Sequence, residues 1–100
     1  MSVVLINSFE VPAGREDDFT AAWRAAAEFM ARQPGYVSTR LHRALAGDAR
    51  FRFVNVAEWA SQEDCRAAVT DPGFREAASG LAGFPGQPAF YEVVYADHTG

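Results

Sequence analysis

The stretch Phe51-Arg-Phe-Val-Asn55-Val-Ala-Glu-Trp59 decides how this chain is read. Side chains of an extended strand alternate between faces, so Phe51, Phe53, Asn55, Ala57 and Trp59 share one side while Val54 and Val56 share the other. Both faces are apolar around the Asn, which marks the run as a buried strand carrying a carboxamide. A buried amide without a partner costs roughly 1–3 kcal/mol, so Asn55 must either find hydrogen bonds within the protein or face a cavity that admits a ligand. The same pattern recurs near the N-terminus, where Val3, Leu5, Asn7, Phe9 and Val11 share a face and Val4 and Ile6 lie opposite. Two strands each carry one Asn of this kind.

Outward from these strands the elements follow from turn and cap signals. The first strand, Val3 to Val11, ends at Pro12-Ala13-Gly14. Glu16, Asp17 and Asp18 lie where negative charge favours a helix start, and Phe19, Trp23, Ala26, Met30 and Gln33 repeat at helical spacing before Pro34-Gly35 stops the helix. Tyr36 to Leu45 alternates as a strand, and Gly47-Asp48 marks a hairpin into the Phe51–Trp59 strand. Ser61 is a cap followed by acidic residues, opening a short helix through about Val69. Asp71-Pro72-Gly73 breaks that helix, Phe74 to Leu81 forms another helical piece, Gly80 to Pro88 reads as a loop able to act as a lid, and Phe90 to Ala96 is the last strand.

The order β-α-β-β-α-β, with the second helix broken, is the ferredoxin-like plan of the α+β class with an antiparallel sheet. Its first and third strands form the central pair. One face of that pair packs on the helices; the other, apolar on both strands, is left open in a single subunit. The cheapest cover is the same face of a second subunit, which predicts a homodimer through the sheet faces. The bulk of Phe9, Phe53 and Trp59 must meet Phe19, Trp23, Met30 and Phe74, which puts Asn7, Asn55 and Trp59 on the helix side and predicts a pocket there.

Composition bounds the function. A chain of 100 residues reads as one domain, 1–100, with a single core. A hydrophobic fraction of 49% is globular, and no apolar run approaches the ~20 residues of a membrane span. No secretory signal is evident, so a cytoplasmic location is expected. The net charge is −4 with charges of both signs interleaved, which argues against nucleic acid as a partner. All nine basic residues are Arg, so neither a Schiff-base lysine nor a phosphate-gripping one is available. Cys65 stands alone, and His42 and His98 lie far apart without ligand spacing, so no metal site is expected.

Each candidate residue carries two readings. Asn55 is a donor to a developing enolate or phenolate oxygen, or a core Asn satisfied by backbone, and Asn7 has the same pair. Trp59 is a stacking wall for a planar ligand, or core. Arg75, beside Phe74, is a cation at the pocket mouth, or a solvated surface residue. His42 is a general base, or an edge or contact residue. Cys65 reads as a small pocket-lining residue, since no His neighbours it in sequence.

The strand order, joined to Ile6-Asn-Ser-Phe-Glu-Val-Pro-Ala-Gly14, Gln33-Pro-Gly-Tyr36 and Asn55-Val-Ala-Glu-Trp59, resembles an antibiotic biosynthesis monooxygenase (ABM) domain over nearly the whole length. The resemblance implies a dimeric α+β barrel of two ferredoxin-like subunits. One branch resembles small cofactor-free oxygenases that convert polyketide anthrones to quinones; it implies pocket roles for Asn55, Trp59 and Arg75, while its pocket Tyr falls at Cys65. A second branch degrades haem and matches through Asn7, but its iron-ligating His falls at Ala77 and its second-helix Trp at Ala68. The resulting expectation is a monooxygenase without cofactor or metal that oxidises a planar phenolic, anthrone or quinol substrate with O2 in polyketide or antibiotic biosynthesis. Asn55, Trp59, Arg75 and Asn7 would be its catalytic residues, and Trp23, Phe19, Phe53, Cys65 and Phe74 would contact the small aromatic substrate. The rival is a dimeric module that binds such a ligand without turning it over.

Overall fold

The computed structural model describes residues 2–98. Four strands and three helices follow one another as β1 Val3–Phe9, α1 Glu16–Met30, β2 Tyr36–Arg43, β3 Phe53–Trp59, α2 Gln62–Thr70, α3 Pro72–Ala77 and β4 Gly86–Tyr91, with a single 3-10 turn at Ser79–Leu81 before the last strand. The sheet is antiparallel with order β2-β3-β1-β4, so the two Asn-bearing strands are its centre and the ferredoxin-like α+β plan holds.

Local chemistry explains where the helices begin. The first turn of α1 holds Glu16, Asp17 and Asp18, and Glu16 Oε1 accepts from the Gly14 amide at 2.8 Å, so the side chain satisfies a backbone donor just ahead of the helix. Ser61 caps α2 by accepting from the Asp64 amide at 3.1 Å. Asp71 closes α2 and opens α3, accepting from the Gly73 amide at 2.8 Å with Pro72 in the first helical position. Between α1 and β2 the chain turns at Gly35, whose φ of +86° and close approach to the Asp64 carboxylate both exclude a side chain.

Several boundaries differ from the sequence reading, each for a physical reason. β1 stops at Phe9 rather than Val11 because Phe9 pairs with Phe53 and Gly86, the end residues of its neighbours; Val11 leaves the sheet but stays buried in the core. The hairpin strands are shorter than expected, since Arg52 gathers the loop by donating to the carbonyls of Ala44 (2.9 Å), Ala46 (3.2 Å) and Gly47 (2.9 Å). β4 occupies Gly86–Tyr91 instead of Phe90–Ala96, so part of the expected Gly80–Pro88 lid is sheet. An edge strand tolerates Pro88, whose missing N–H costs nothing where there is no outer neighbour. The strand ends at Tyr91 because Tyr91 already pairs with Val4, at the start of β1.

The inner sheet face carries two clusters. At one end Phe9, Val11, Phe19, Phe53 and Phe84 pack together, with ring centroids 4.8 Å apart for Phe9–Phe19, 4.7 Å for Phe19–Phe53 and 5.5 Å for Phe19–Phe84. At the other end Ala57, Trp59, Cys65 and Ala68 are buried, and small side chains predominate.

Candidate functional site

Reading across the inner face from β4 to β2, the rows are Gly86–Phe9–Phe53–Arg43, then Pro88–Asn7–Asn55–Leu41, then Phe90–Leu5–Ala57–Thr39. Asn7 and Asn55 are thus direct cross-strand partners, at the border where the Phe-filled end gives way to the small-residue end. Beyond that border α1, α2 and α3 do not close onto the sheet, and a cavity of about 360 Å³ remains. That is the scale of a small-molecule site. Its walls are largely apolar, with Trp23 and Met30 from α1, Tyr36 from β2, Trp59 from β3, Phe74 from α3 and Phe90 from β4. Tyr36 meets Trp59 edge-on with centroids 5.6 Å apart, fixing the indole's orientation.

The polar groups in this wall are few. Asn55 is 8% exposed, and its Nδ2 donates to Thr39 Oγ1 at 2.5 Å and to the Arg40 carbonyl at 3.1 Å. Asn7 Oδ1 is buried without a hydrogen-bond partner, pressed toward Gly86, where a Cβ would collide with it and with the Phe9 ring. Asn7 also forms part of the cavity wall. Arg66 supplies the cation: its guanidinium donates to Gln62 Oε1 at 3.2 Å and has no acidic partner among the described residues. Burial pushes the Cys65 thiol above its ordinary pKa, with Arg66 pulling part of the way back, so the thiol stays neutral at physiological pH.

The model of the antibiotic biosynthesis monooxygenase family matches residues 2–80. The chain belongs to the ABM family. It is 35% identical over 79 residues to deoxynogalonate monooxygenase of Streptomyces nogalater, a match covering 79% of this chain and 64% of that relative's length. SnoaB, a cofactor-independent oxygenase from Streptomyces nogalater, has a crystal structure that matches with a TM-score of 0.82 at 29% identity, over 95% of each chain. A protein of Shewanella loihica PV-4 is 39% identical with a TM-score of 0.83, covering 95% of this chain and 96% of its own.

In this ABM chain the structure gathers six of the nine residues nominated from sequence around one cavity: Asn7, Asn55, Trp59, Trp23, Cys65 and Phe74. The other three lie elsewhere. Phe19 is 0% exposed and Phe53 is 4% exposed in the packed Phe cluster, where rings of the first α1 turn and the outermost β1–β3 row leave no room. Arg75 sits on α3 outside the cavity, along an open surface groove with Asp71 and Ser79 that shares Val69 and Phe74 with the cavity wall. His42 is also outside: its Nδ1 lies 3.2 Å from the Val54 carbonyl on the opposite sheet face. No imidazole or carboxylate lines the cavity among the described residues, so an axial histidine for a haem iron has no counterpart there. Thr39, Tyr36 and Arg66 were missed from sequence. Strict alternation from Tyr36 puts Thr39 on the opposite face; a β-bulge between Tyr36 and Ser38 shifts the register and brings it opposite Ala57 on the inner face.

Proposed function

We propose that this chain is a cofactor-independent monooxygenase that oxidises a planar phenolic, anthrone or quinol substrate with O2, in the manner of polyketide tailoring in antibiotic biosynthesis. The observation that carries this reading is the cavity itself: an aromatic-walled enclosure crossed by the Asn7–Asn55 row with the Thr39 hydroxyl in the next, within a family of monooxygenases. For an anthrone the overall change is CH2 + O2 → C=O + H2O. The ionised substrate passes an electron to dioxygen, the radical pair joins through a C–O bond, and the peroxide loses water as the second C–H proton departs. Every electron comes from the substrate.

The chain's own residues favour the anion and hold it. Asn7 lines the cavity with a side-chain amide whose N–H can serve an anionic oxygen, and Arg66, exposed on α2, adds positive charge at the rim. Trp59 and Trp23 provide walls on which a ring lies flat, limiting its approach to O2. In this reading the substrate proton leaves by a solvent-fed path, His42 lying on the other sheet face. The active assembly in this reading is a twofold dimer covering the outer sheet face, where Val4, Ile6, Val54 and Val56 are only half-buried. The continuation beyond β4 exposes Val93 (64%), Val94 (88%) and Tyr95 (81%), further apolar area for a second copy to cover.

The test is oxygen uptake by metal-stripped protein with a panel of anthrones and hydroquinones, beside Asn7→Ala and Trp59→Phe. We expect one O2 consumed per anthrone and at least a tenfold fall in kcat for Asn7→Ala, the scale of one lost charge-assisted hydrogen bond. Tight binding of the panel without uptake would instead make the chain a ligand-binding module.

A further inference from the structure

Asn55, although it faces the cavity, has no proton left for a ligand. Its amide nitrogen carries two hydrogens and both have acceptors in the protein, Thr39 Oγ1 at 2.5 Å and the Arg40 carbonyl oxygen at 3.1 Å. The Arg40 carbonyl forces this orientation, because it only accepts; the amide oxygen turned toward it would set lone pair against lone pair. Thr39 Oγ1 is therefore the acceptor of its bond with Asn55, and its hydroxyl proton must point elsewhere. Among the described residues no acceptor takes that proton, and Thr39 forms part of the cavity wall. Across β2 and β3 Thr39 pairs with Ala57, whose single methyl leaves the hydroxyl uncovered.

We infer that Thr39 donates the hydrogen bond to the substrate's anionic oxygen and that Asn55 is a positioning residue acting through Thr39. A hydroxyl that accepts from an amide is polarised and donates more strongly, and one whose lone pair is pinned has its proton aimed before the ligand arrives. The ligand oxygen that fits is a phenolate or enolate, which can only accept. The inference deepens the oxygenase reading and rests on it for the identity of the ligand as a planar phenol.

Alizarin, a planar tricyclic phenol whose colour follows its ionisation, separates the two. In the wild type, binding should lower the first pKa of alizarin. Thr39→Val, which keeps the shape and removes the hydroxyl, should raise the bound pKa by about one pH unit, the size of one charge-assisted hydrogen bond, and Thr39→Ser should restore it. Asn55→Ala should raise it by less, and should add nothing on the Thr39→Val background. The same pattern is expected in kcat with an anthrone substrate, with each variant's fold checked by near-ultraviolet circular dichroism. A bound pKa unchanged in Thr39→Val but raised in Asn55→Ala, or additive effects in the double variant, would overturn the relay while leaving the oxygenase reading standing. Failure of the wild type to bind alizarin or any anthrone would overturn that reading and the relay with it.

Discussion

The inner face of one pair of strands ends in two different ways. At the Phe9–Phe53 row the sheet meets the start of α1 through stacked rings, and Phe19 is wholly excluded from water. Two rows along, the same strands present Leu5 and Ala57 to Ala26, Ala27 and Cys65, and a cavity of about 360 Å³ is left. Backbone and pairing are shared, so side-chain volume and the helix turns set above each row make one end a core and the other a site. Asn7 and Asn55 mark the boundary row. Rings hold the helices at a fixed height above the sheet, and small residues beneath that height leave the space.

This contrast is broken most severely by removing a ring from the packed end. Phe19→Ala should cost about 3–5 kcal/mol in chemical denaturation, since the ring touches Phe9, Phe53 and Phe84 and the surrounding rings cannot collapse into its place. For a domain whose total stability is about 5–15 kcal/mol, that is a large fraction. Met30→Ala at the hollow end should cost clearly less, about 1–2 kcal/mol, because part of that side chain already faces empty space. Equal losses at the two sites would mean that the hollow end is packed in solution.

The face periodicity that carries this comparison was legible in the sequence. Alternation grouped the side chains of each strand by face, the bulk of Phe9, Phe53 and Trp59 turned the face carrying Asn7 and Asn55 toward the helices, and the element order implied the antiparallel ferredoxin-like sheet. Position along a face was harder to read. Phe53 and Trp59 share a face and differ only in row, and a row's depth depends on which helix turn lies above it; hence Phe53 and Phe19 were expected in the site and lie in the core. β4 was misplaced because Gly86-Gln87-Pro88 has loop composition, while edge-strand pairing is set by β1, whose partners run from Phe9 to Val4. Arg66 was not among the candidates, whereas Arg75, beside Phe74, was. Helical spacing does not say how far α2 stands from the sheet, so whether a guanidinium beside Cys65 reaches the cavity could not be read from it.

A gentler test fills the hollow end. Ala57→Leu projects a larger side chain from the sheet into the cavity, between Leu5 and Thr39 in the same row. Alizarin affinity should fall at least tenfold, about 1.4 kcal/mol, while the denaturation midpoint moves by no more than about 1 kcal/mol. Strong destabilisation in place of lost binding would show overpacking, and the two ends would then differ in chemistry but not in room.

The smallest effect concerns Cys65, which the hollow end keeps dry. Burial raises its thiol pKa and the Arg66 guanidinium lowers it in part, leaving it above the ordinary 9.0. In the unfolded chain the thiol ionises at that ordinary value while the folded chain still holds the proton. Its contribution to stability is therefore complete below that pH and lost as pH rises through the folded pKa. Stability curves of the wild type and Cys65→Ala should run parallel at neutral pH and converge only in the alkaline range. Alkylation by iodoacetamide sharpens the point: at pH 8 Cys65 in the folded protein should react well below the rate of free cysteine. Arg66→Gln should slow it further, because removing the cation removes the one influence that favours the thiolate. Faster labelling in Arg66→Gln would mean that the guanidinium shields the thiol by bulk, and the charge assigned to that wall of the cavity would have to be withdrawn.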